Sequence, residues 1–254
     1  MISGGREFSN YERLGARFSH RGWARNPEMS SEIVELASGL PNGRWLDVGC
    51  GPGDFSDLLS RPKVSLYGMD LSRRMLQALK ESAREVAAIQ GDAHALPLRD
   101  EEFGVAACRN LLKHCRDPSR VLLEMVRVTR PKGKFLIVES CALGDDDRRF
   151  MDEVITISEP GQSPYRTPTE WAELVRQASI EVCTQKVFPH HVVSTPDYRR
   201  EQFGLDDQRL RAHWNRFSTA PPAVRRLMDI TQSDDGVLRF SLFWTAILGA
   251  KEGR

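Results

Sequence analysis

Eight consecutive residues, Leu46-Asp47-Val48-Gly49-Cys50-Gly51-Pro52-Gly53, join a short apolar run to a carboxylate and three alternating glycines. A strand that ends in such a turn and opens a helix brings backbone N–H groups close to a ligand, because glycine has no Cβ and tolerates positive φ. The pattern reads as a nucleotide cradle. Its spacing then selects among ligands: the dinucleotide fingerprint G-x-G-x-x-G would place glycine at position 54, where Asp54 stands instead. What remains is acid-x-G-x-G-x-G.

Further residues able to do chemistry follow in order. Asp70 ends the next apolar run, at the separation from the glycine turn where a carboxylate can accept from both hydroxyls of a ribose. Gly91-Asp92-Ala93 closes a third run, and Leu96-Pro97-Leu98 with the acidic turn Asp100-Glu101-Glu102 leads into Phe103. Three histidines are candidates for moving a proton, since imidazole titrates near neutrality. His114 lies in the loop after the fourth strand, and the adjacent pair His190-His191 follows the sixth. A metal site is not indicated, because neighbouring residues of an extended segment point opposite ways and no carboxylate–histidine cluster accompanies them.

The elements that must position these residues alternate between helix and strand. Met29, Ile33, Val34, Leu36, Ala37 and Leu40 recur at helical spacing, closed by Gly39 and Pro41. Strands are expected over residues 44–48, 64–69, 86–90, 103–108 and 134–139, with helices after Gly53, after the N-cap Ser72 and over 118–129. Pro131-Lys132-Gly133 makes the turn into the fifth strand. This alternation implies a mostly parallel sheet covered on both faces, with ligands beyond the carboxyl ends of the strands near the switch in strand order. The second half is less regular. Thr167-Pro168-Thr169-Glu170 starts a capped helix, residues 180–188 and 237–248 read as strands, and the arginine-rich stretch from His190 to Gln232 reads as several short helices. Within it Phe203, Trp214, Phe217 and Met228 are candidates to line an apolar pocket.

The ordered set of the glycine turn, Asp70, Gly91-Asp92-Ala93, Leu96-Pro97, the acidic turn, Phe103 and Arg130-Pro131-Lys132-Gly133-Lys134 resembles the class I S-adenosylmethionine-dependent methyltransferases, in particular the small-molecule, quinone-biosynthesis (methyltransferase type 11) kind. The match runs from Trp45 to Glu139. The resemblance implies a Rossmann-like, doubly wound α/β fold with a seven-stranded, mostly parallel sheet whose last strand is antiparallel, helices on both faces and a helical cap. It implies one domain over 1–254, divided into an N-terminal lid (1–26), a cofactor-binding core (27–188), a cap insertion (189–235) and a terminal strand (236–254). Carried over by position, Asp47, Gly49, Cys50, Gly51 and Gly53 would receive the methionyl part of S-adenosylmethionine. Asp70 would hold its ribose, Leu71 would lie against adenine, and Asp92 with Ala93 would meet the adenine edge. In the family a segment like Phe8, Tyr11, Leu14, Phe18 and Trp23 folds over the cofactor, which makes Tyr11 a candidate contact.

One stretch departs from the family pattern. After the fourth strand stand Cys108-Arg109-Asn110-Leu111-Leu112-Lys113-His114-Cys115, and the cations Arg109 and Lys113 are unexpected beside a sulfonium. Either they point outward or they meet an anionic group; Arg109 is carried as a candidate cofactor contact.

Composition bounds the function classes. A chain of 254 residues with net charge +1 lacks the strong basic footprint that nucleic-acid binding needs, so a small-molecule substrate is expected, with no nucleic-acid or membrane partner. The five cysteines are scattered without a C-x-x-C pair, which points to a reducing, cytoplasmic setting. The leading expectation is methyl transfer to O, C or N of a small, aromatic or polyketide-like metabolite, by a monomer or homodimer, with S-adenosylhomocysteine as by-product. The alternatives are the same fold and cofactor turned to a cyclisation or decarboxylation and, third, a tRNA methyltransferase, against which no Asn-Pro-Pro-Tyr tetrapeptide and no appended RNA-binding module are visible.

Overall fold

The computed structural model describes residues 26–82, 85–159 and 162–253. Eight strands, β1 (Gly43–Val48), β2 (Val64–Asp70), β3 (Val86–Gln90), β4 (Phe103–Arg109), β5 (Thr129–Cys141), β6 (Ile180–Ser194), β7 (Thr231–Gln232) and β8 (Leu238–Lys251), form one sheet. Seven of them run in the order β3-β2-β1-β4-β5-β8-β6, and the two-residue β7 pairs with β8. The first five are parallel, while β8 is antiparallel to both neighbours. The expected architecture is therefore present. The chain steps outward from β1 through β2 to β3 and then returns to β4 on the other side of β1, so the order reverses between β1 and β4.

Nine helices are described: α1 (Pro27–Ser38), α2 (Asp54–Leu59), α3 (Arg73–Glu81), α4 (Pro118–Val128), α5 (Asp145–Ser158), α6 (Pro168–Gln177), α7 (Pro196–Phe203), α8 (Asp207–Ser218) and α9 (Pro222–Leu227). Local chemistry sets their starts. The Asn26 side chain accepts from Met29 N ahead of Pro27, Ser72 accepts from Met75 N, and Thr167 and Glu170 form a reciprocal capping box. None of the described helices is long and apolar enough to cross a membrane.

Strand alternation sorts the core onto two faces. Ala106 and Cys108 of β4 join Leu46, Leu122, Met125, Trp171 and Val175 under α4 and α6, while Val105 and Ala107 join Ile33, Trp45, Phe55 and Leu59 under α1 and α2. Phe150, Met151, Val154, Phe217, Val224, Met228 and Phe240 make a separate core for the cap.

Two differences from expectation bear on the site. The sixth strand does not stop at Phe188 but runs to Ser194, so His190 and His191 sit within it, opposite Leu242 and Ser241 of β8. Pro189 is tolerated there because β6 is the edge strand, where a missing N–H need not break a ladder. Pairing of β5 with β8 ends at Cys141 and Phe243, so β6 and β8 continue beyond β5 and carry the cap, with β7 joining β8 at Leu238 and Arg239. The other difference is α5, which periodicity alone did not single out. Three acids, Asp145, Asp146 and Asp147, begin it, and Asp147 Oδ1 and Oδ2 accept from the backbone N–H groups of Gly144 and Leu143 at 2.8 and 2.7 Å.

Candidate functional site

At the reversal between β1 and β4 the glycine turn adopts the geometry its residues suggested. Gly49, Gly51 and Gly53 have φ of 70°, 54° and 95°, all in the left-handed region that glycine enters without a Cβ clash. Gly49 and Cys50 donate backbone N–H bonds to Met69 O at 2.7 and 3.0 Å, which ties the turn to the end of β2. A Cβ at Gly49 would lie 2.7 Å from Leu111 Cδ1, so the turn also packs closely on the loop after β4. At Gly51 a Cβ would meet nothing within 4 Å among the described residues. That open space leaves the backbone of the turn approachable at Gly51.

The carboxylates stand at the neighbouring strand ends. Asp70 Oδ2 accepts from Gly51 N at 2.9 Å and Oδ1 from Ser72 N at 2.8 Å, so this side chain fixes the turn and the start of α3 together. Half-buried Leu71 follows it. Asp92 is exposed, and its Oδ1 accepts from His94 N and meets His94 Nδ1 at 2.9 and 2.7 Å. Partial burial pushes this carboxyl up, but the two His94 hydrogen bonds outweigh it and hold the group below its ordinary value. Ala93 beside it is buried. The loop they occupy is clamped from α4: Glu124 Oε2 accepts from Leu96 N at 2.8 Å, and Arg127 donates to Leu96 O and Leu98 O at 2.9 Å.

Beneath the turn lies buried charge. Asp47 is fully buried, and its Oδ2 accepts from the Ser56 hydroxyl at 2.6 Å. Burial pushes its carboxyl up to about 7 against the Ser56 hydrogen bond and the field of Arg109. Arg109 does not point outward. It is buried over the Phe55 ring, 5.3 Å from the centroid, and burial draws its guanidinium down to about 10 against the opposing fields of Asp54 and Asp47. Asp54, which entered the sequence reading only as a broken fingerprint, is thus part of the site. Its signal was present in the pattern: an acid at the first helical position after a glycine turn.

The histidine candidates converge. His114, His190 and His191 all line one cavity of about 260 Å³, together with Asn110, Lys113, Ser140, Tyr165 and apolar residues of α5, β6 and β8. His114, half-buried on a 3₁₀ turn (Leu112–His114), has Nε2 3.5 Å from Asn110 Nδ2. His190 is buried, with Trp244 edge-on to its ring at 6.5 Å. Burial, His191 and Arg109, in that order, draw its imidazole down to about 4. His191 is exposed, and its Nδ1 lies 2.9 Å from the Ser241 hydroxyl. Lys113 lies 5.7 Å from the centroid of the Tyr165 ring at the cavity wall.

Not every expectation falls here. Tyr198 and Phe203 line the cavity, whereas Phe217 and Met228 are core of the cap and Trp214 donates from Nε1 to Gly236 O at 3.1 Å. Tyr11 lies outside the described residues, as does the expected lid up to residue 25.

Glu139 was missed as a functional residue. Fully buried at the end of β5, it accepts with Oε1 from Leu111 N and Leu112 N at 2.8 and 2.6 Å, and thereby holds the loop that both packs on Gly49 and carries His114. Burial pushes its carboxyl up to about 7 against the Leu112 N–H, Lys113, the Leu111 N–H and Arg166. No spacing rule marks such a residue, because its partners lie on the loop after the neighbouring strand β4.

Residues 46–137 match the family model described as a methyltransferase domain. The demethylmenaquinone methyltransferase of Renibacterium salmoninarum is 33% identical over 107 residues, covering 42% of this chain and 45% of that protein. The ubiquinone biosynthesis O-methyltransferase of Methylococcus capsulatus is 29% identical over 136 residues, covering 48% and 57%. The chain spans about half the length of these curated relatives. Among solved structures, the YcgJ protein of Bacillus subtilis superposes with a TM-score of 0.75 at 22% identity, covering 89% of this chain and 99% of that one.

Proposed function

From the premise that the chain carries a class I methyltransferase domain, we propose that it transfers a methyl group from S-adenosylmethionine to an oxygen, carbon or nitrogen atom of a small metabolite. The observation that carries this reading is the Gly51 turn: a left-handed glycine with open space at its Cβ position, its N–H engaged by the carboxylate that ends β2. Bound there, S-adenosylmethionine supplies an electrophilic methyl group on a sulfonium.

The chain's own residues then have distinct tasks. Asp70 accepts from the ribose hydroxyls while holding Gly51, and Leu71, Ala93 and Asp92 flank the adenine. Asp54, joined by Asp47 when that carboxyl is ionised, balances the charge of Arg109 under the turn, which lets a cation approach the glycines without a bare guanidinium opposing it. In-line displacement needs alignment more than covalent help, and a cavity walled by strands and cap provides alignment and exclusion of water. His114, on the loop that touches the glycine turn, takes the acceptor's proton in this reading.

Purified protein given methyl-labelled S-adenosylmethionine and a panel of small acceptors tests the reading. Label in a product supports it; an acceptor consumed without label supports the cyclisation or decarboxylation alternative. No binding of S-adenosylhomocysteine by folded protein removes both.

A further inference from the structure

Among the polar atoms buried against this cavity, those of His190 and Asn110 include ones with no hydrogen-bond partner among the described residues. Neither ring nitrogen of His190 is hydrogen-bonded, although the residue is only 1% exposed. Asn110 Oδ1 is likewise buried without a donor. Buried polar groups are nearly always satisfied, so two orphans on one cavity mark the place where a ligand completes the hydrogen bonding.

Their chemistry restricts that ligand. An amide oxygen only accepts, while a neutral imidazole offers one accepting nitrogen and one N–H. A carboxylate or phosphate has no proton to give Asn110 Oδ1. An ammonium cannot accept from the His190 N–H, and the charged side chains on the walls, Lys113, Arg199 and Glu159, include both signs. A hydroxyl donates and accepts from one atom and suits both orphans. The rest of the wall is largely apolar, with Met151, Val154, Phe240 and Leu242 facing the space. At about 260 Å³ the cavity takes a compact molecule.

We propose that Asn110 and His190 recognise the acceptor, and that the acceptor is a small uncharged molecule with an apolar body and a hydroxyl group: an alcohol, phenol or enol. The inference rests on reading this cavity as the acceptor site. It also divides the labour among the histidines. His190, held neutral by its surroundings, orients the hydroxyl by hydrogen bonding, whereas the less buried His114 takes the proton.

The test is a ligand-observed NMR titration of the full chain, without cofactor, using four probes that share a ring: 4-ethylphenol, ethylbenzene, 4-ethylbenzoate and 2-phenylethylammonium. The phenol should bind about tenfold more tightly than the other three, the effect of one or two buried hydrogen bonds. His190→Phe should erase that preference, and His190→Asn, which keeps a donor and an acceptor, should retain part of it. Asn110→Gly removes the other orphan at a residue whose φ of 56° suits glycine, so it probes the same preference without backbone strain. Equal binding of all four probes, tighter binding of the benzoate or the ammonium, or a phenol preference that survives both His190→Phe and Asn110→Gly would overturn the proposal. Calorimetry with S-adenosylhomocysteine stands apart: a chain that binds it yet shows no hydroxyl preference refutes this inference alone.

Discussion

The two halves of the carboxyl edge are built on opposite electrostatic plans. On the β1–β2–β4 side, buried carboxylates and a guanidinium surround a glycine turn that a ligand can approach closely because it carries no side-chain bulk. On the β5–β6–β8 side the cavity wall is mostly apolar apart from Lys113, Glu159 and Arg199, and the buried His190 and Asn110 that face it are neutral. A charged ligand group meets fixed dipoles and balanced ions in the first half, while the second selects by shape and unsatisfied hydrogen bonds. Segregation of this kind lets one side hold a constant partner and the other discriminate among substrates.

Perturbing the cradle should give the largest effects. Gly51→Val places a β-branched side chain at a φ of 54° and fills the space beside the turn, so S-adenosylhomocysteine affinity should fall more than ~100-fold while the circular dichroism of the fold persists. Asp70→Ala removes a carboxylate that accepts from two backbone N–H groups as well as the proposed ribose contacts. A loss of about 2 kcal/mol in binding, roughly 30-fold, is expected by calorimetry.

Protonation sharpens the comparison next. Asp47 and Glu139 have carboxyls raised to about 7 by burial, so in the native state they hold protons that the unfolded chain has already released. Their contribution to stability is therefore present at low pH and lost as pH rises toward and through 7. His190 and His213 act the other way, since burial draws their imidazoles down to about 4 and about 2 and stability is lost as pH falls below the ordinary histidine range. Because the two pairs oppose each other, difference curves isolate them. In thermal melts, Asp47→Asn and Glu139→Gln should each gain stability relative to wild type as pH goes from about 5 to about 8. A flat difference contradicts the assignment.

Asp92→Asn should have the smallest effect in the set. The side chain is exposed and already bonded to His94, so binding should weaken only severalfold. A loss as large as that of Asp70→Ala would move the adenine contact to the centre of the cradle.

How much could be read from the chain alone follows the same division. Local motifs encode the cradle: Gly49, Gly51, Gly53, Asp70 and Asp92 each belong to a contiguous strand-end signature, and the structure sets the turn and the Asp70 carboxylate in contact. The elements of the first half were legible for the same reason, since strand and helix periods alternate cleanly there. Glu139 and Asn110 were not, because their roles arise between strands, through bonds to Leu111 and Leu112 and through a cavity closed by β6 and α5. The end of β6 was misjudged because Pro189 ordinarily stops a strand, and only the edge position in the finished sheet excuses it.

Isothermal titration of wild type and Gly51→Val with S-adenosylhomocysteine tests the central claim most directly. The account predicts a single site on the wild-type chain and loss of that heat in a variant that remains folded. Absence of binding to folded wild type at millimolar ligand, or equal binding by the two proteins, would contradict it.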